Sequence, residues 1–110
     1  MKSELQINDT IKVKDGIHTE DFNIDLSGRV GTITGIASDE GETPILYYIE
    51  WDSGTLKEFE ISSIQYLDEQ MYDWDFTLLY ESEFTKVSQR YTLAETDKTL
   101  NELKDKLKKS

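Results

Sequence analysis

The sequence predicts a mainly β fold: a small five-stranded barrel with a short helix after the fourth strand and a C-terminal amphipathic α-helix. Four stretches predict it. Arg29–Glu60 is rich in β-branched and aromatic residues and is divided by polar turns into strand-length pieces. Asp9–Lys14 and Phe76–Val87 alternate apolar and polar residues with a period of two. Thr92–Ser110 instead repeats leucine at helical spacing.

Leu5 and Ile7 precede the first strand, starting it or packing under the barrel. In Asp9–Lys14, Ile11 and Val13 point inward and the two lysines outward, and Asp15-Gly16 ends the strand as a turn. A long excursion from Ile17 to Ser27 follows. There Asp21, Asn23 and Asp25 alternate with Phe22, Ile24 and Leu26, so an extended chain would gather the oxygens on one face. Asp-x-Asn-x-Asp resembles the start of an EF-hand loop, but the sixth position is Leu26 rather than glycine and the twelfth is Thr32 rather than glutamate. An EF-hand is therefore excluded, leaving a bent hairpin loop with one wet face or a metal site of another kind.

Arg29–Ala37 is the second strand, with Gly31 and Gly35 marking a bend or a close backbone approach. The acidic loop Ser38–Thr43 leads to Pro44–Trp51. This third strand is expected to meet a fourth, Thr55–Glu60, across a three-residue turn, Asp52-Ser53-Gly54. That register places Tyr47, Ile49, Trp51 and Phe59 on the inner face, with Lys57 keeping its amine in water. Ile61, Ile64, Leu67 and Met71 then predict a short helix or single turns over Ser62–Met71. Tyr72–Asp75 is irregular, and Phe76–Val87 closes the barrel with Leu78, Tyr80 and Phe84 inside. In the last helix, Thr92 and Glu95 have capping-box spacing, and Leu93, Leu100, Leu103 and Leu107 form one stripe. Residues 1–88 thus read as the acidic barrel. The helix at 92–110 either packs on it within one domain or pairs two copies into a homodimer.

Charge bounds the function. The 110 residues carry 23 acids against 12 bases, a net of −11, and Glu58–Thr85 holds eight acids with no lysine or arginine. Such a field repels phosphate backbones, so no nucleic-acid partner is expected; it attracts cations or basic protein surfaces. No apolar run is long enough to span a bilayer, and Met1–Glu4 opens no signal-type stretch, so a cytoplasmic protein without a membrane role is expected. There is no cysteine and one histidine, His18. Ordinary zinc sites and nucleophilic triads are excluded on that inventory, no glycine-rich phosphate loop is present, and the chain reads as non-enzymatic.

Calcium suits the side chains better, being a hard cation that takes six to eight oxygens. Three segments offer them: Asp21 and Asp25 with Asn23; Asp39 and Glu40 with Glu42; and Asp68, Glu69, Asp73 and Asp75, the densest set.

Two resemblances bear on this. Asp9–Gly16 followed by Gly28–Ile33, with Glu50–Thr55 later, is similar to the opening strands and turn of SH3-like barrels of the KOW and Mib/Herc2 kind. The order of barrel strands, Ile49-Glu50-Trp51-Asp52, Thr55-Leu56-Lys57, an acidic Tyr66–Trp74 segment and the Leu79–Glu83 strand resembles the small acidic calcium-binding proteins of cyanobacteria. The resemblance implies an SH3-like barrel and reversible calcium buffering or sensing, without fixing ligands residue by residue. The alternative is a metal-independent interaction module that binds a basic partner through Tyr48, Tyr66, Tyr72, Trp74 and Tyr80. A third reading is an acidic mimic that occupies a nucleic-acid-binding protein.

Overall fold

The structure, a computed structural model, describes residues 5–109; Met1–Glu4 and Ser110, the outermost parts of the two predicted segments, lie outside them. Five strands form one antiparallel sheet: β1 (Thr10–Val13), β2 (Val30–Ile36), β3 (Leu46–Trp51), β4 (Phe76–Tyr80) and β5 (Phe84–Val87), in the order β4-β3-β2-β1-β5. Between β3 and β4 lie two helices, α1 (Ser53–Lys57) and α2 (Ile61–Glu69), and α3 (Leu93–Lys109) ends the chain.

The five-stranded sheet and the C-terminal helix agree with the sequence; the mainly β barrel does not. About 27% of residues are in strands, the architecture is mixed α/β, and the sheet is open, with β4 and β5 at its two edges. The expected fourth strand is the reason. Thr55–Glu60 does not pair with β3, because Asp52 caps a helix instead of opening a hairpin. Its backbone is extended, its Oδ1 accepts from the Thr55 amide at 2.9 Å, and its carbonyl accepts from Leu56 at 2.9 Å. The partner of β3 is β4, with Tyr48 opposite Leu78 and Leu46 opposite Tyr80. Lys57, placed on the inner face by the hairpin register, is exposed on α1 with its amine 5.6 Å from the Tyr91 ring centre.

The predicted closing strand is likewise two strands. A 3₁₀ turn at Glu81–Glu83 interrupts it, fastened by the Tyr80 amide donating to the Glu83 carboxylate at 2.8 Å. Side chains alternate faces only along an unbroken strand. The turn resets the parity, so Leu79 and Phe84, five residues apart, are both buried, while Leu78 and Tyr80 face outward. Elsewhere the inward residues are as expected: Ile11, Val13, Tyr47, Ile49 and Trp51 are all buried, while Phe59 is half-buried. Gly31 answers to close approach, since a Cβ there would sit 2.6 Å from the Glu50 carbonyl oxygen.

α1 and α3 close one end of the sheet. Thr55 fastens α1 to the first residue of β2 through its hydroxyl, which donates to the Val30 carbonyl at 2.9 Å and accepts from its amide at 3.0 Å. The α3 capping box forms as its spacing predicts: the Thr92 amide donates to Glu95 at 3.0 Å and the Glu95 amide to the Thr92 hydroxyl at 3.1 Å. Leu103 is buried, Leu100 and Leu107 are half-buried against the core, and Leu93 is exposed. The helix packs on α1 and α2.

Candidate functional site

α2 ends in a left-handed residue. Met71 has φ +60°, its amide donates to Asp68, and the Tyr72 amide donates back to Leu67 at 3.0 Å. This is the helix stop usually served by glycine. It turns the chain so that Tyr72 and Trp74 come back beside Phe59; the Phe59 and Trp74 rings meet edge to face at 6.4 Å. Opposite them stands the 17–27 loop. It is a small hairpin, joined by the His18–Asp25 bridge and by the Thr19 amide to Ile24 and the Leu26 amide to Ile17, both 2.9 Å. Its tip takes left-handed backbone at Phe22 (φ +64°) and Asn23 (φ +48°). The expected extended alternation is therefore broken there, and Phe22 is thrown across to Tyr72 (5.3 Å between ring centres) and Tyr66 (6.1 Å).

Between loop and helix lies a cleft of about 760 Å³. Leu26, Trp51, Ile64 and Trp74 form apolar wall, Phe22 and Tyr66 flank it, and Glu58 and Glu60 are exposed on it. Its size and composition are those of a binding cleft: mainly apolar, with a few polar groups. Arg29 lines it too. The guanidinium carbon lies 4.7 Å from the centre of the Phe59 ring and 5.2 Å from that of Trp51. It makes no side-chain hydrogen bond or ion pair among the described residues. Burial draws Arg29 below the usual arginine value, against the pull of Tyr72, Asp25 and Glu58. Burial also raises the Tyr72 phenol, with Thr19 and Arg29 acting in the opposite direction.

None of the predicted calcium ligands lines this cleft, and among the described residues the three acidic segments do not converge on one point. In the loop, the Asp21 carbonyl accepts from the Thr19 hydroxyl, while the Asp25 carboxylate accepts from the Ser27 amide at 2.9 Å; hydrogen bonding by the Ser27 side chain, and then by its amide, holds the Asp25 pKa below the ordinary value. The Asp39 amide donates to Glu42 at 2.8 Å, and Glu40 is exposed. Asp68 and Glu69 end α2 with exposed side chains. Asp68, Asp73 and Asp75 do border one shallow hollow of about 380 Å³, but Lys104 and Lys108 of α3 border it too, and Lys104 lies 4.0 Å from Asp75. The densest acidic stretch thus already has cations from the chain's own C-terminal helix. Among the described residues, no three histidine or carboxylate side chains come together to hold a metal ion.

Of the five predicted rim aromatics, Tyr66, Tyr72 and Trp74 line the cleft. Tyr48 and Tyr80 are exposed on the other face of the sheet, and only Trp74 is buried. Sequence reasoning missed Arg29. Its one signal is position, as the sole lysine or arginine between Lys14 and Lys57.

No helix among the described residues is long and apolar enough to cross a membrane. A comparison of the chain with protein-family models, with curated proteins and with solved structures finds no match in any of the three.

Proposed function

We propose that this chain is a non-enzymatic interaction module whose cleft takes an apolar side chain from a basic protein segment. The observation that carries it is the aromatic-walled cleft bearing Glu58 and Glu60 on a chain of net charge −11. An apolar anchor fills the cleft, and lysines or arginines beside it meet the carboxylates, which speeds encounter and selects against acidic partners. β1 beside β5 supports the SH3-like reading of the sheet. Calcium buffering, the reading drawn from charge and resemblance, gains no support from the scattered carboxylates.

Both tryptophans of the sequence line the cleft, so intrinsic fluorescence reports on it directly. Lysine-rich peptides carrying a single Leu, Phe or Trp are titrated into the protein, with amide chemical shifts mapping the site for the Trp-bearing ones. Saturable binding at the cleft, weakening as salt is raised, is expected. Peptides that leave the fluorescence and the cleft amides unchanged would remove the proposal.

A further inference from the structure

The cleft holds one feature that a purely apolar anchor does not use. Arg29 contributes a planar fork of five N–H donors and is charged at any ordinary pH. Two aromatic rings fix it, Phe59 and Trp51, yet no carboxylate of the described residues lies within ion-pair distance. In a chain so rich in acids, a half-buried arginine left facing rings rather than a carboxylate has its charge available to a ligand. Ser62 and Ser63, in the first turn of α2, line the same cleft and add hydroxyl donors.

We infer that Arg29 receives the terminal α-carboxylate of the partner, so that the bound segment is a basic C-terminus ending in an apolar residue. This rests on the interaction-module reading and specifies its partner. A C-terminal residue carries its side chain and its carboxylate on one Cα, so a single residue satisfies both the apolar wall and the guanidinium. The lysines upstream then lie toward Glu58 and Glu60. A small free acid lacks those cations and meets the two glutamates unscreened. An arginine–carboxylate pair is a charge-assisted, two-pronged contact, stronger than a neutral hydrogen bond.

The test uses one peptide in two forms, Lys-Lys-Lys-Gly-Leu as the free acid and as the C-terminal amide, bound to the unaltered protein by tryptophan fluorescence. The free acid is expected to bind about 10- to 100-fold more tightly. Bulk electrostatics predicts the reverse, since the amide is one charge more positive and the protein is strongly acidic. Arg29→Gln erases the preference, while Arg29→Lys keeps the charge, loses the fork and retains part of it. Equal binding of acid and amide, or tighter binding of the amide, overturns the inference and leaves the interaction module standing. Absence of binding by either form, with the single-anchor peptides also inert, overturns both. The acid–amide comparison on unaltered protein decides the matter even if an Arg29 variant fails to fold.

Discussion

Arg90 forks onto Asp52: Nε lies 2.7 Å from Oδ2 and Nη2 lies 2.9 Å from Oδ1. The pair joins the linker before α3 to the cap of α1, across a sequence separation of 38 residues. The Asp52 side chain is 4% exposed and that of Arg90 46%. Asp52 raises the Arg90 pKa, chiefly by accepting its hydrogen bonds. Arg90→Ala leaves an almost buried carboxylate with only the cap amide, and should cost about 1–2 kcal/mol once solvent screening of the exposed arginine is allowed for. Asp52→Ala also loses the cap and should cost about 2–3 kcal/mol. Arg90→Lys recovers little, because an ammonium cannot reproduce the fork. Thermal melts read these losses at roughly 4 °C per kcal/mol. An Arg90→Ala midpoint equal to that of the unaltered protein would show the tether to be dispensable.

A second contact holds α3 in place. The Thr99 hydroxyl donates to the Glu95 carbonyl at 3.1 Å, so the Ser53 hydroxyl, 2.6 Å away, donates to Thr99. Ser53 is 1% exposed. Thr99→Val strands that hydroxyl without its acceptor and should destabilise by about 1–3 kcal/mol. Ser53→Ala combined with Thr99→Val removes both partners and should lie closer to the unaltered protein than Thr99→Val alone. Denaturant midpoints of the three variants decide this; simple additivity of the single changes would show that the hydroxyls do not act as a pair.

These two contacts also mark what could be read from the sequence. Ile11, Val13, Tyr47, Ile49 and Trp51 were legible because an uninterrupted strand with one buried face writes its pattern locally, and the Thr92–Glu95 box because capping is local too. Asp52-Ser53-Gly54 was misread because the same residues serve a hairpin turn or a helix start. What decides between them is distant: Arg90 on Asp52, Thr96 on the Ser53 amide and Thr55 on Val30. The parity error at Leu78 and Tyr80 came from a turn, Glu81–Glu83, whose residues carry no glycine or proline to announce it. At the candidate site, Tyr66 in the predicted helix and Tyr72 and Trp74 in the irregular stretch after it were legible as rim aromatics for a basic partner. Arg29 was not, since its role depends on the excursion, α2 and the sheet meeting around it.

Two left-handed residues near the cleft should respond differently to glycine. Met71 is 92% exposed at φ +60°. Met71→Gly relieves the backbone and should stabilise by about 0.5–1 kcal/mol, with peptide binding unchanged. Phe22→Gly gains similar relief but loses the ring contacts to Tyr66 and Tyr72, so stability changes little while peptide affinity falls several-fold. Melting curves and fluorescence titrations of the two variants separate the effects. Undiminished binding by Phe22→Gly would take the loop tip out of the site.

Calcium should act on this chain only as a screening ion. Asp68, Asp73 and Asp75 share their hollow with Lys104 and Lys108, so an entering cation meets positive charge before a complete ligand set. In chelator-treated protein, millimolar calcium should shift the thermal midpoint no more than an equal ionic strength of magnesium or sodium salt. A saturable, calcium-selective rise would mean that carboxylates regroup around the ion, and would restore the buffering reading.

Acid should loosen the fold at the start of α3 and in the 17–27 hairpin. Hydrogen bonds with Thr92 hold the Glu95 pKa below its ordinary value of 4.5, and bonds with Ser27 hold Asp25 below 3.8. Each folded-state value lies under the unfolded one. The stability they contribute is therefore complete above those ordinary values and is lost as pH falls through the lowered ones. Relief of the −11 self-repulsion works in the opposite direction over the same range, so differences between variants are more telling than the raw profile. Glu95→Gln keeps a side chain that can accept from Thr92 but does not titrate, and Asp25→Asn does the same for Ser27. The melting temperature of the double variant should fall less between about pH 6 and about pH 3 than that of the unaltered protein. Parallel profiles for the two proteins would mean that neither carboxylate's bonds contribute to folding.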